Sequence, residues 1–215
     1  MQALKFVLAP QDQRGTMGSS LSYIDPRVSN QWLIYVPSLR RVRKLTSTDT
    51  QDPSFGGDIV NDDMYGFFQK ISPDDFPYEY EILEEREYLI PVSDGTEFFS
   101  PPGLELRNIK MERRPIYVVQ MTQKDPNYVY SKRILYVDQE SFLLYFAKNY
   151  DQKGRLYRTA CITFKFYPEM GVETYRTSIY KDHIELHSTV GHHYNVPAFY
   201  ARKDVSLRNI MKKAK

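Results

Sequence analysis

All four histidines of this chain fall within eleven residues: His183, His187, His192 and His193. On a strand, His183, Glu185 and His187 would point the same way, about 7 Å from one to the next. Two imidazoles and a carboxylate on one face are a donor set for zinc or iron. Ile184 and Leu186 would take the opposite face, which makes a wet polar edge the commoner reading, and the HExxH helix of metalloproteases is absent. Cys161 is the single cysteine. It stands mid-strand between Ala160 and Ile162, a setting for a packed thiol rather than a nucleophile. The carboxylate pairs Asp62-Asp63, Asp74-Asp75 and Glu84-Glu85 are sequence neighbours, and on a strand neighbours face opposite ways. The chain has no G-x-S-x-G elbow, P-loop or G-x-G-x-x-G. These residues support no enzyme and no cofactor.

A second concentration of charge follows an apolar run. Gln31 to Leu45 reads QWLIYVPSLRRVRKL, in which Trp32 to Pro37 is apolar or aromatic and four of the five residues Arg40 to Lys44 are cationic. The pattern predicts a tight hairpin with one greasy arm and one arginine-bearing arm. The run is short, and Glu81, Glu84, Glu85 and Glu87 offer cross-strand partners, so ion pairing is the default expectation. Docking of an acidic partner or a lipid headgroup comes next. A net charge of +2 argues against nucleic acid.

The elements that position these groups are mostly strands. The 215 residues suffice for one domain with a substantial core, so residues 1–215 are read as a single domain. With 18 Tyr, 12 Phe and only 10 Gly, the composition favours sheet. One cysteine excludes an internal disulfide and a multi-cysteine zinc site. The opening MQALKFVLAP is too short for a secretory signal, and no run approaches the apolar length of a membrane-spanning helix.

Residues 19–45 predict two or three strands, followed by a loop. NDDMYGFFQKI predicts an amphipathic helix, capped by Asn61 or Asp62, with Met64, Phe67, Phe68 and Ile71 on one face. It is either a core helix or a movable plug over a cavity. Residues 92–113 read as a loop. Strands then follow in PIYVVQMTQK, KRILYVD, FLLYFAKNY, TACITFKFY, VETYRTSIY and DHIELHS, with Gly154 supplying a left-handed turn residue. TACITFKFY alternates, with Ala160, Ile162, Phe164 and Phe166 on one face and Thr159, Cys161, Thr163 and Lys165 on the other. A weak basic helix closes the chain. The fold expected is mainly β (α+β): a curved antiparallel half-open barrel wrapped on one or two short helices.

Three blocks, QWLIYVPSLRRVRKL with FGGDIVNDD, ERRPIYVVQMTQKDPNYVYSKRILYVDQES, and NYDQKGRLYR, closely resemble the LolB-like periplasmic family of Gram-negative bacteria, within the LolA/LolB superfamily of outer-membrane lipoprotein-sorting proteins. The resemblance covers roughly residues 20–165. It implies a half-open barrel with an apolar cavity for lipid or lipoprotein acyl chains, a periplasmic location, and no cofactor or bond chemistry. The motif positions are Trp32, Tyr35, Pro37, Arg40, Arg41, Arg43, Gly57, Asp58, Tyr130, Lys132, Arg133 and Tyr136. Met64, Phe67 and Phe68 of the helix and Ile162 and Phe164 of the alternating strand are expected in the cavity wall. The chain resembles the later part of longer family members, a fragment or a short variant.

The function expected is a non-enzymatic carrier in lipoprotein sorting or lipid transport, with peripheral membrane contact compatible and no nucleic-acid partner. The alternatives are a docking module of an envelope transport system that uses the Arg40–Lys44 rim, and a metal site at His183, Glu185 and His187.

Overall fold

A computed structural model describes residues 2–7, 9, 11–21, 23, 25, 28, 31–45, 51, 59, 60, 62, 63, 78–100, 105–169, 171–193 and 212. The helix expected over Met64–Ile71, the C-terminal basic helix, and Gly57 and Asp58 lie outside these residues. The described elements are antiparallel strands in three sheets.

The first sheet has four strands in chain order: β1 (Gln2–Phe6), β2 (Met17–Leu21), β3 (Gln31–Val36) and β4 (Arg41–Leu45). β3 and β4 are the greasy and cationic arms of the expected hairpin, joined by a 3-10 turn at Pro37–Leu39. Arg40 closes that turn with φ of 47°, a left-handed conformation that costs a non-glycine residue about 1 kcal/mol. A two-stranded ribbon, β6 (Phe98–Ser100) with β7 (Glu105–Arg107), occupies part of the segment read as a loop from sequence.

The large sheet runs in the order β13-β12-β11-β10-β9-β8-β5. Its strands are β5 (Tyr78–Val92), β8 (Lys110–Gln123), β9 (Lys132–Asp138), β10 (Leu144–Tyr150), β11 (Leu156–Tyr167), β12 (Val172–Asp182) and β13 (Ser188–His192). β8 starts before Arg114, because Lys110 to Arg113 pair with the end of β5. Short turns set the register. At the β10–β11 hairpin, Gly154 takes φ of +76°, and Asp151 Oδ1 accepts the N–H groups of Lys153 and Arg155, each at 2.9 Å. At the β9–β10 turn, Asp138 accepts the N–H of Ser141 at 2.7 Å and a bond from Arg114 Nε at 2.9 Å.

DHIELHS is not a strand. Residues 183–185 form the turn between β12 and β13, and Leu186 takes φ of 60°. Asp182 organises it by accepting the N–H groups of Ile184 and Glu185, both at 2.9 Å. An Asp at the strand end thus stops the ladder where side-chain alternation alone continued it.

The sheet curls. β5 and β11 are four strand steps apart, about 19 Å on a flat sheet. Yet the N–H of Ser93, just past β5, donates to the Phe164 carbonyl of β11 at 3.2 Å. Register shifts that mark bulges fall between Ile82 and Glu84 and between Leu144 and Phe146, and bulges sharpen local twist. The long β5–β8 ribbon therefore folds over the sheet, with Ile90, Ile116 and Val118 turned inward and Leu89 and Met111 outward.

The loop after β5 fastens this curl. Arg176 of β12 donates to Glu97 Oε1 at 2.9 Å, and Glu97 also accepts from Ser93 Oγ at 2.7 Å and from the Gly95 N–H at 3.1 Å. Burial opposes ionisation of Glu97, but these donors outweigh it and hold its pKa below the usual carboxylate value.

Asp138 carries an acid-sensitivity prediction. Its burial raises the pKa, but bonds from Arg114 and Ser141 overcome this and hold it at about 2. In the unfolded chain the value returns to about 3.9. The stabilisation is therefore fully present above about pH 5 and is lost as pH falls toward the folded value, a change of about 2 kcal/mol. Urea unfolding across this range should show the loss, and Asp138→Asn should flatten it.

Candidate functional site

One face of the large sheet carries a pocket of about 480 Å³, lined from Tyr88 of β5 to His183 after β12. Its floor consists of two cross-strand rows. Tyr136, Phe146, Cys161 and Ile179 are register partners across β9, β10, β11 and β12 and make an apolar row. Beside it Lys148, Thr159 and Lys181 make a polar row. Tyr88 closes one side, with its ring edge-on to Tyr136 at a centroid distance of 5.4 Å. Tyr136 also meets Phe146 edge-on at 6.0 Å.

The polar groups of the lining are few. The Lys148 ammonium stands 5.4 Å from the centre of the Tyr136 ring, and its bond to Tyr136 raises its pKa, so it stays cationic. Thr159 Oγ1 and His183 Nε2 are 2.9 Å apart. Burial pushes the Cys161 thiol to about 11. Reaction with iodoacetamide at pH 8 should therefore be slow and rise about tenfold per pH unit until near pH 11. A flat profile would show an activated thiol.

The opposite face holds a buried polar row in the same four strands. Arg133, Asn149, Arg158 and Asp182 are successive register partners across β9, β10, β11 and β12. Asp63 is seated against this row, with Tyr130 donating to its Oδ1 at 2.8 Å and the Val60 N–H to its Oδ2 at 3.0 Å. Its carboxylate lies 3.9 Å from Arg133 Nη2 and 3.7 Å from Arg158 Nη1. Arg133 Nε donates to Asn149 at 2.8 Å, and Arg158 Nε reaches Asp182 at 3.3 Å. Tyr128 donates to Asp62. Burial raises the Asp63 pKa, with Arg133 pulling it down. This network ties the segment around Asp63 to the sheet. It is structural in form, since its charged side chains are enclosed.

The residues expected in the site disperse. Tyr136 lines the pocket. Tyr130 and Arg133 belong to the buried network behind it, and Lys132 stands over the Tyr150 ring at 4.7 Å. Trp32, Tyr35 and Pro37 are half-buried in the first sheet, where Arg40, Arg41 and Arg43 are exposed. Among the described residues, the Arg40–Lys44 run forms no ion pair with Glu81, Glu84, Glu85 or Glu87. Those acids lie on β5, where Glu84 pairs with Arg86 and Glu87 with Arg113. Ile162 and Phe164, expected in the cavity wall, are packed in the core. Strand alternation sends them to the face opposite Thr159 and Cys161, which line the pocket.

The proposed metal triad is not assembled. His183 and Glu185 lie in the turn and His187 follows it, so they share no strand face, and no group of three His, Cys, Asp or Glu able to hold a metal occurs among the described residues. His183 instead meets Thr159 at the pocket edge. The missed lining residues, Tyr88, Phe146, Lys148, Ile179 and Lys181, come from strands far apart in sequence. Lys148, which follows four apolar or aromatic residues in LYFAKNY, was their one local sign.

A curled, unclosed antiparallel sheet of seven strands with a pocket on one face defines the class of fold. The chain belongs to the DUF1329 family, described as proteins of unknown function, whose model matches residues 1–207. Solved structures agree on the fold. A domain named as an outer membrane lipoprotein-sorting protein, from Vibrio parahaemolyticus, matches with a TM-score of 0.64 at 17% identity, over 98% of this chain and 77% of that one. A DUF1329 family protein from Desulfovibrio piger matches with a TM-score of 0.59 at 20% identity, over 87% of this chain and 66% of that one. A LolA superfamily protein from Nitrosomonas europaea matches at 0.50 and 17% identity, over 88% and 67%. No curated protein sequence matches the chain. The likeness to LolA-superfamily proteins read from the sequence blocks holds at the level of the fold, as does the half-open antiparallel sheet.

Proposed function

We propose that the chain is a non-enzymatic carrier that shelters a lipid or lipoprotein acyl chain on the pocket face of its curled sheet, and that it works in the periplasm. The observation that carries this reading is the apolar floor row, Tyr136, Phe146, Cys161 and Ile179, in a pocket of about 480 Å³. That volume falls within the range of small-ligand sites. Each buried methylene contributes about 0.8 kcal/mol. The roughly fourteen of a palmitoyl chain give about 11 kcal/mol gross, more than the roughly 4–8 kcal/mol at the lower end of the cost of association. A hydrocarbon chain is then held without a specific polar contact, as suits a carrier that must also release its load. The sorting role named for the Vibrio domain and the superfamily of the Nitrosomonas protein point the same way.

Native mass spectrometry tests the reading. Delipidated protein incubated with palmitate should show a one-to-one adduct, and palmitate should displace a fluorescent fatty acid. Neither adduct nor displacement would remove the carrier reading.

A second reading rests on the exposed Arg40, Arg41, Arg43 and Lys44, which form no ion pair among the described residues. Here the β3–β4 hairpin is the surface that meets an acidic partner of an envelope transport system. Reversing those four charges should abolish capture of that partner and leave palmitate binding unchanged. Retained capture would exclude the reading.

A further inference from the structure

The pocket is uneven in charge. Among the described residues no carboxylate occurs in its lining, although two lysines and a histidine do. Register sets Lys148 opposite Thr159 and Thr159 opposite Lys181. The two lysines therefore flank one hydroxyl on adjacent strands, with their Cα atoms about 10 Å apart. Both side chains are exposed, and neither forms an ion pair among the described residues. Two like charges beside an oily floor repel one another, and an anion between them relieves that repulsion. Thr159 and the His183 ring, 2.9 Å from its hydroxyl, add hydrogen-bonding groups at the same place.

We propose that the pocket takes a single-chain amphiphile with an anionic head. The head sits over Thr159 between Lys148 and Lys181, and the hydrocarbon lies along Tyr136, Phe146, Cys161 and Ile179. This rests on the carrier reading and adds to it the class of cargo. A carboxylate and a phosphate monoester share the required chemistry: compact negative charge on one alkyl chain. A neutral diacyl or triacyl lipid lacks it.

Isothermal titration with dodecanoate, dodecyl phosphate and dodecanol, each below its micelle-forming concentration, tests the proposal. At low ionic strength at least one anion should bind roughly tenfold tighter than dodecanol, as two solvent-accessible ion pairs allow. Whichever anion is preferred identifies the head. The preference should shrink in high salt. In the Lys148→Gln/Lys181→Gln double variant the three probes should bind alike. Both lysines are exposed, so the variant should fold, and circular dichroism checks that it does. Equal binding of dodecanol and both anions by the wild type, or an undiminished preference in the variant, overturns the proposal and leaves the carrier reading standing. Failure of all three probes to bind removes both.

Discussion

Replacing Asp63 with alanine should lower the unfolding free energy by about 3–5 kcal/mol, the largest loss expected from a single substitution in this chain. Asp63 accepts hydrogen bonds from Tyr130 and from the Val60 N–H and stands against Arg133 and Arg158. Arg133 is 1% exposed. Without Asp63, its guanidinium keeps the bond to Asn149 and a 3.3 Å bond to the Asp62 carbonyl, but it loses a facing carboxylate where water cannot replace it. A buried charge that loses its partner is worse than a buried pair, and a pair replaced by apolar residues is often neutral. Asp63→Ala with Arg133→Met should therefore recover more than half of the single-variant loss. Asp63→Asn should cost less than alanine, because burial already opposes the charge at this position and the amide keeps an acceptor for Tyr130. Urea titration of the four proteins gives the comparison. A loss under about 1 kcal/mol for alanine would show that the network is incidental.

The second large effect is functional. Cys161→Trp should weaken palmitate binding at least tenfold while leaving the fold intact. Cys161 sits mid-row on the pocket floor between Phe146 and Ile179, and an indole there fills the space the chain needs. The site opens to the pocket, so the added bulk has somewhere to go and overpacking is small. Ala160→Trp makes the matching control. Ala160 is 6% exposed in the core cluster, where an indole has no room, so that variant should lose stability outright. Displacement of a fluorescent fatty acid, with thermal unfolding of each variant, separates the two. Unchanged binding by Cys161→Trp would move the ligand away from this face.

The same strand shows how far the sequence carries. Its alternation holds from Thr159 to Ile162, with Ala160 and Ile162 in the core and Thr159 and Cys161 on the pocket, but Thr163 is buried as well and Phe166, grouped with the apolar face, is 56% exposed. It did not say which side was the interior and which faced the ligand, and the more apolar side proved to be core. The physical reason is that a site open to water tolerates Thr, Lys and Cys, whereas close packing does not. The β3–β4 hairpin, the Gly154 turn and the strands from β8 to β12 were legible because local period and turn chemistry set them. Residues 92–113 were read as a loop because three-residue strands carry no period. The turn at 183–185 was missed because His-Ile-Glu-Leu-His alternates like a strand while Asp182 caps its backbone. The pocket depends on register across four strands, and the Asp63 network on a segment outside the sheet meeting Arg133 and Arg158. No local pattern encodes such a meeting.

Photo-crosslinking with a diazirine-bearing fatty acid, followed by peptide mapping, tests the central claim most directly. Adducts should fall on peptides carrying Tyr136, Phe146, Cys161 or Ile179, and excess palmitate should suppress them. Adducts confined to other parts of the chain, or labelling that palmitate does not suppress, would contradict a hydrocarbon site on this face.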